Sequence, residues 1–361
     1  MRLLIAGGGT GGHLFPGVAI AEELRARDPG APIRFLGTRR GIEARVLPDL
    51  GWDVAFIEVS GLKTVGLWGS IKGLFRLPKA LWQARRAVKD FKPDVVLGVG
   101  GYASGPVVLM ARLRGIPTAI CEQNSIPGFT NKLLGKLVRA VFLSFEMSRR
   151  FFKAKKIQMV GNPVRRPMLA LLQGTRAQRL AELPLQVLVS GGSLGAVAVN
   201  DLAAQALCAI AKDRPLTIVH QTGEKGHADT VARYAAAGVT ADVRPFIKDM
   251  ASEYLRADLI VARAGATTVA ELAIAGVPAI FIPYPFAADN HQELNAREMA
   301  DAGAALMFKQ ADLTAAILEA QLRALLDDPA KRAAMGAAMK ALARPGAAAA
   351  VIDWCQAQTK T

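Results

Sequence analysis

Short runs of uninterrupted apolar residues, each closed by glycine or a polar turn, recur along the 361-residue chain. Leu3-Leu4-Ile5-Ala6, Val95-Val96-Leu97-Gly98-Val99, Val187-Leu188-Val189, Thr217-Ile218-Val219, Leu259-Ile260-Val261 and Ala279-Ile280-Phe281-Ile282 are the clearest. They have strand length and do not alternate apolar with polar, the pattern of parallel strands buried on both faces. Between them lie Ala/Val/Leu-rich stretches with helical spacing. Strands alternating with helices predict an α/β class with doubly wound parallel sheets.

One unit of this pattern occurs twice. Leu3–Ala6 runs into Gly7-Gly8-Gly9-Thr10-Gly11-Gly12-His13, and Val187–Ser190 runs into Gly191-Gly192-Ser193-Leu194-Gly195-Ala196. Glycines at a strand-to-helix junction let the backbone turn sharply and approach a ligand, and the next helix offers unpaired N–H groups and a positive dipole end to phosphate. Two such units predict two Rossmann-like domains facing across a cleft, built to join two phosphorylated molecules. Gly161-Asn162-Pro163-Val164-Arg165 reads as the hinge-like connection, dividing the chain into 1–163 and 164–344.

Bulk properties narrow the class. Three scattered cysteines support neither a disulfide framework nor a zinc site. The first apolar run breaks into glycine at Gly7, so no signal peptide is expected, and the longest charge-free stretch, Val95–Ala111, is too glycine-rich and short to span a bilayer. A strand, a loop and a helix start explain it, and a soluble, cytosolic protein is expected. Charge is lopsided: residues 1–160 hold 25 Lys/Arg against 11 Asp/Glu, while 161–361 hold 20 against 19. The first half must therefore meet something anionic. No aromatic-basic RNA motif or helix-turn-helix signature is present, which points away from nucleic acid. The basic excess centres on 61–86, where Trp68, Ile71, Leu74, Phe75 and Trp82 interleave with Lys63, Lys72, Arg76, Lys79, Arg85 and Arg86. Such a mixture suits an interfacial patch on an anionic membrane; the alternative is a helix pair with solvated charges outside. Pro78 is expected to begin the second helix of that pair.

Candidate chemistry sits on the turns. Gly7, Gly9 and Gly12 satisfy G-x-G-x-x-G, but the second strand, Ile33–Gly37, ends in Thr38-Arg39-Arg40 rather than in an acid. That leaves an NADP-dependent oxidoreductase open, although such an enzyme needs no second glycine loop. Arg263-Ala264-Gly265-Ala266-Thr267-Thr268-Val269-Ala270-Glu271 suggests a further phosphate turn, with Glu271 placed to accept from ribose hydroxyls. Asp289-Asn290-His291-Gln292 is an amide-rich turn suited to sugar hydroxyls. No Asp-x-Asp occurs and no His/Cys/Asp set has metal spacing, so neither metal nor cofactor is expected. Helix ends, Ser193, Thr268 and Arg165 would then meet the charge of a leaving diphosphate.

Taken together, these motifs resemble the MurG glycosyltransferases. Gly8–His13, Gly100–Pro106, Glu122-Gln123-Asn124 and Gly161–Arg165 match the first-domain motifs; Gly191–Ser193, Arg263–Glu271 and His291-Gln292 match the second. The resemblance runs in order over almost the whole chain. It implies the two-domain GT-B fold, with a closing segment of about 345–361 packing back on the first domain. It implies transfer of N-acetylglucosamine from UDP-GlcNAc to the 4-hydroxyl of the muramoyl sugar of lipid I, giving lipid II. Lipid II serves peptidoglycan synthesis, and with it cell-wall biogenesis, cell shape and cell division. The setting would be peripheral, on the cytoplasmic face of the inner membrane, with cell-wall and division proteins as partners.

The resemblance also implies roles. Ile247 presents its backbone to uracil. Arg165 and Ser193 sit at the nucleotide and diphosphate, and Glu271 holds the ribose. Ala266, Thr267, Thr268, Val269, Ala270 and Gln292 line phosphate and sugar. Thr10, Gly11, Gly12 and Asn124 close the first-domain side of the sugar. Leu194, Thr267 and Cys121 depart from the Gln, Leu and His common in the family. An inverting, metal-independent transfer is expected, with His13 as general base, because imidazole titrates near neutral pH. The alternative for His13 is a helix-start residue that orients a phosphate or hydroxyl. His220 and His227, outside these motifs, read as surface or structural. Rival functions are another UDP-sugar lipid transferase, a UDP-GlcNAc epimerase, and a silent nucleotide binder.

Overall fold

The computed structural model describes residues 1–59, 66–170, 184–192 and 194–359, the stretch 66–76 by its backbone. The chain divides into two units, Met1–Arg166 with Arg344–Thr361, and Pro167–Ala343.

In the first unit the apolar runs form β1 (Leu3–Ala6), β2 (Ile33–Gly37), β3 (Asp53–Phe56), β4 (Val95–Gly98), β5 (Thr118–Glu122), β6 (Ala140–Leu143) and β7 (Ile157–Met159). They pair in the order β3-β2-β1-β4-β5-β6-β7, and every pairing is parallel. The helices are α1 (Gly11–Arg27), α2 (Glu43–Asp49), α3 (Gly66–Phe91), α4 (Ser104–Leu113), α5 (Phe129–Leu134) and the short α6 (Arg166–Leu169). The second unit has β8 (Leu185–Ser190), β9 (Leu216–Gln221), β10 (Asp242–Arg244), β11 (Leu259–Ala262), β12 (Ala279–Phe281) and β13 (Ala305–Met307). Their order is β10-β9-β8-β11-β12-β13, again parallel throughout. Its helices are α7 (Val197–Ile210), α8 (His227–Ala236), α9 (Met250–Arg256), α10 (Ala266–Ala275), α11 (His291–Asp301), α12 (Ala315–Leu326) and α13 (Pro329–Ala341); α14 (Ala347–Ala357) returns to the first unit.

The central strands are largely apolar because helices cover both faces of each sheet. In β1, Leu3 and Ile5 join a core that includes Leu14 and Val18 of α1 and Val351, Ile352 and Cys355 of α14. Leu4 and Ala6 point to the opposite core, with Ala84 and Val88 of α3 and Val107 and Val108 of α4. Burying Val351 and Ile352 alone contributes roughly 3–6 kcal/mol of transfer free energy, so α14 is integral to the first core.

The region expected to be two helices is one. Residues Gly66–Phe91 form a continuous helix with Pro78 inside it rather than at a first turn. An interior proline deletes its own N–H bond, but the helix runs on from it into a face anchored by buried Ala80, Ala84 and Val88. The side chains of Trp68, Ile71, Lys72, Leu74, Phe75 and Arg76 lie outside the described residues.

Both sheets reverse strand order once, between β1 and β4 and between β8 and β11. Ligands of open α/β sheets bind at the carboxyl ends of strands flanking such a switch point. The glycine loops after β1 and β8 sit there, as do the loops after β4 and β11.

Within β9 lies a buried titratable group. His220 is fully buried, with Nδ1 3.1 Å from the Tyr234 hydroxyl and Nε2 3.2 Å from Asn200 Oδ1. Asn200 donates through Nδ2 to the Thr222 carbonyl at 2.9 Å. Its Oδ1 is therefore the acceptor, His220 Nε2 carries the proton, and Nδ1 accepts from Tyr234. Burial pushes the imidazole pKa down to about 3. The unfolded chain takes up this proton near pH 6.5, so this contribution to stability is complete above that pH and is lost as pH falls toward 3. The slope is about 1.4 kcal/mol per pH unit. Urea unfolding at pH 7 and pH 5 should show about 2 kcal/mol more acid loss in the wild type than in His220→Gln. Equal losses would mean that the ring is protonated in the folded state.

Candidate active site

In the first unit the loops after β1 and β4 interlock through glycine. The Gly8 N–H donates to the Gly100 carbonyl at 3.3 Å. A Cβ on Gly101 would overlap the Gly8 carbonyl, and one on Gly100 would overlap the His13 imidazole. His13 thus lies over Gly100 in the first turn of α1. Thr10 holds the N-cap position in extended conformation (φ −131°, ψ 162°) without a side-chain capping bond. Its hydroxyl lies instead 3.2 Å from His13 Nδ1. With no acidic residue in its first turn, α1 presents the amides of Gly11 and Gly12 and its positive dipole end to an anion.

The Gly9 amide, read as part of a phosphate cradle, is already used. It donates to the carboxylate of fully buried Glu43 at 2.7 Å. Nothing in the sequence pattern marked Glu43, which reads as an ordinary helix-start charge.

The Glu122-Gln123-Asn124 motif stitches the neighbouring loops. Glu122 is buried and accepts from the Asn124 amide at 3.0 Å, the Gly128 amide at 3.3 Å and Asn131 Nδ2 at 2.8 Å. Burial raises its pKa, and these donors oppose the rise. Gln123 Nε2 donates to the Val99 carbonyl at 3.1 Å, tying the end of β5 to that of β4. Asn124 is thereby fixed beside the switch point. Cys121, where a family histidine is common, is buried, its thiol pushed up to about 12 by burial and the Glu122 charge. Arg165 stacks its guanidinium on the Phe15 ring of α1, 4.5 Å from the centroid, and its Nε is buried without a partner.

In the second unit one side chain joins two loops. Gln221, at the end of β9, donates from Nε2 to the Gly192 carbonyl at 3.0 Å and to Ser190 Oγ at 3.3 Å. Its Oε1 accepts the Ile247 amide at 2.8 Å. Ile247 therefore has its carbonyl, not its N–H, to offer a base. Ser193 lies outside the described residues, and Leu194 is 87% exposed.

The β11–α10 turn collects most of the remaining candidates. Helix α10 begins at Ala266 with no side-chain cap and no acid in its first turn. Val269 is buried, Thr268 and Ala270 are half-buried, and the Thr267 hydroxyl is buried without a hydrogen-bond partner. Glu271 is 8% exposed and accepts from the Tyr254 hydroxyl at 3.3 Å. Behind the turn, Arg263 donates to the Ile282 and Pro283 carbonyls at 2.9 and 2.8 Å and to Gln310 Oε1 at 2.7 Å. Burial brings its guanidinium down to about 10. Gln292 Oε1 accepts the Tyr284 amide at 3.0 Å. Just before it, Asp289 and Asn290 are both left-handed (φ 52° and 55°), a strained turn of the kind that clusters at ligand sites.

Comparison with known proteins places this geometry. The glycosyltransferase family 28 N-terminal domain matches residues 3–143, and the family 28 C-terminal domain matches residues 186–351. The chain belongs to glycosyltransferase family 28. A relative from Myxococcus xanthus is 49% identical over 357 residues, covering 98% of this chain and 92% of that protein. Another, from Geobacter sulfurreducens, is 46% identical, covering 100% and 99%. Both are named UDP-N-acetylglucosamine--N-acetylmuramyl-(pentapeptide) pyrophosphoryl-undecaprenol N-acetylglucosamine transferase. The crystal structure of Acinetobacter baumannii MurG superposes with a TM-score of 0.80 at 37% identity, covering 98% of this chain and 99% of that one.

As a family 28 glycosyltransferase of GT-B fold, the protein has no place for the oxidoreductase reading. The Gly9 amide that a dinucleotide pyrophosphate would need is bonded to Glu43. Among the described residues, no group of three His, Cys, Asp or Glu side chains can hold a metal ion, and no helix is long and apolar enough to cross a membrane. Of the basic patch's cations, the side chains of Lys79, Arg85 and Arg86 are described. Lys79 is already paired: its ammonium meets Glu58 at 2.9 Å in an exposed ion pair, which lowers its value as a free cation.

Gln221→Leu tests how the second unit is held. It keeps the volume but strands the Ile247 N–H and the Gly192 carbonyl. Calorimetric titration should show UDP binding weakened about tenfold or more, the equivalent of one or two lost hydrogen bonds. Unchanged affinity would show that the two loops hold their positions without it.

Proposed function

We propose that this family 28 transferase moves N-acetylglucosamine from UDP-GlcNAc to the 4-hydroxyl of the muramoyl sugar of lipid I, making lipid II for peptidoglycan. The observation that carries the reading is that each unit has one switch point, served by two helices with neither a side-chain cap nor a first-turn acid. These are α1 and α4 in the first unit, α7 and α10 in the second. Each pair suits one diphosphate, and both substrates carry one.

The second unit takes the donor. The Ile247 carbonyl accepts from the uracil N3–H, Glu271 accepts from ribose hydroxyls, and the amides opening α10 at Ala266, Thr267 and Thr268 meet the diphosphate. The unpartnered Thr267 hydroxyl supports that assignment. Val269 and Ala270 set the wall of the turn, Gln292 reads the sugar, and Ser193 adds a donor to the diphosphate. The first unit takes the acceptor, with its diphosphate on Gly11 and Gly12 and its sugar beside Thr10 and Asn124.

The acceptor oxygen attacks the anomeric carbon from the face opposite UDP, so a C–O bond forms as the bond to the diphosphate breaks, and α becomes β. His13 takes the hydroxyl proton, its ring aimed by Thr10 and by contact with Gly100. Negative charge growing on the leaving UDP is met by helix ends rather than by a metal. The enzyme is peripheral on the cytoplasmic membrane face, held by the basic first-half surface and α3, where Trp82 is 59% exposed.

The test is transfer of radiolabelled sugar from UDP-GlcNAc to a short-chain lipid I analogue. Activity should persist in EDTA. His13→Ala should lower turnover about 10²–10⁴-fold while leaving UDP affinity intact. Failure to glycosylate the analogue would overturn the proposed reaction, near-normal His13→Ala turnover would remove the base, and complete loss in EDTA would reinstate a metal.

A further inference from the structure

Beneath the first glycine loop lies a carboxylate that the proposed chemistry leaves unused. Glu43 opens α2, is fully buried, and accepts from three donors: the Gly9 N–H at 2.7 Å, the Thr38 N–H at 2.8 Å and the Thr38 hydroxyl at 3.0 Å. Gly8, Gly37 and Gly41 close around it so tightly that a Cβ on any of them would overlap its side chain. The chain has thus cleared space on three sides for one carboxyl. A buried charge is costly unless its hydrogen bonds are complete, so this carboxylate binds its donors firmly. Gly7, Gly8 and Gly9 all have positive φ, and successive glycines have more conformational freedom to lose than any other residues. Such a loop needs an external anchor to present the helix behind it in one orientation.

We propose that Glu43 is a positioning residue that latches Gly9 and thereby fixes Thr10 and the His13 imidazole for the acceptor hydroxyl. This rests on the role assigned to His13. The latch also withdraws the Gly9 amide from anion binding, so the acceptor diphosphate is left to the amides of Gly11 and Gly12. The two carboxylate oxygens divide the work: Oε1 holds Thr38 at the end of β2, and Oε2 holds the loop.

That division makes Glu43→Gln a selective probe. The amide keeps the volume and turns its oxygen toward Thr38, where two donors wait. Its NH2 group then faces the Gly9 N–H, donor against donor, and the latch opens while the β2–α2 turn stays. Soluble-acceptor kinetics, UDP titration and thermal melts are measured for wild type, Glu43→Gln, His13→Ala and the double variant. Asp49→Asn, at the exposed far end of α2, controls for charge loss from that helix. Glu43→Gln should lower kcat/KM for the acceptor about 10–100-fold, the worth of one charge-assisted hydrogen bond. UDP affinity should be unchanged, Tm lower by about 3–11 °C, and in the His13→Ala background the further loss should be under about threefold. Glu43→Asp keeps the charge but falls short of Gly9, and should show the same acceptor-specific loss if the Gln variant does not fold.

Wild-type acceptor kcat/KM in Glu43→Gln would overturn the latch. So would a loss that merely follows the folded fraction, or an equal loss in the His13→Ala background. A near-normal His13→Ala enzyme would instead sink the base assignment alone, and the latch would then stand or fall on acceptor kcat/KM in Glu43→Gln.

Discussion

Four helix N-termini at the two switch points, with neither a side-chain cap nor a first-turn acid, are the constraint on which the site depends. Strand order reverses once in each sheet, so crossovers leave in opposite directions and a crevice opens at the strand ends. The helices entered there, α1, α4, α7 and α10, have no capping side chain and no first-turn acid. Asp249, Thr314 and Asp328 do accept from the first turns of α9, α12 and α13, whereas α2, α8 and α11, equally without a side-chain cap, carry an acid in the first turn instead. A cap contributes about 1 kcal/mol. Forgoing four of them leaves amides and dipole ends directed at the crevices, where a bound diphosphate can supply what a side chain does elsewhere.

Uncapped, glycine-rich turns would wander without anchors, and buried polar side chains provide them. Glu43 holds Gly9, Gln123 ties β5 to β4, Gln221 joins Gly192 to Ile247, and Arg263 bridges the ends of β11 and β12. Each is at least nine-tenths buried, where an unmade hydrogen bond is expensive and a made one is correspondingly directional. The two units solve one problem with different chemistry. A carboxylate fixes the first loop and removes an amide from anion binding; a neutral amide fixes the second and adds no negative charge there.

How legible this was in the sequence follows from burial. β1, β4, β8, β9, β11 and β12 are flanked by other strands on both sides, and each carries a buried apolar run that stands out, even where Gln186 or His220 shares the strand. β7, β10 and β13 are three-residue edge strands that are partly exposed; with one side open they need no continuous apolar run. The glycine loops and the β11–α10 turn were visible because backbone geometry restricts their residue types. Glu43 and Gln221 were not, since a Glu opening a helix and a Gln closing a strand are common for local reasons, and their partners lie 34 and 26 positions away. Pro78 misled because a proline reads as a helix start, whereas here the helix runs through it and is anchored beyond it by Ala80, Ala84 and Val88.

The central claim is that the two glycine loops are functionally unequal: the second unit holds the nucleotide, and the first, closed by its own carboxylate, does not. Amide hydrogen exchange of the full chain with and without UDP tests this most directly. UDP should slow exchange in 190–195, 245–248 and 264–271 and leave 7–13 unchanged. Protection of 7–13 by UDP, with none at 264–271, would contradict it.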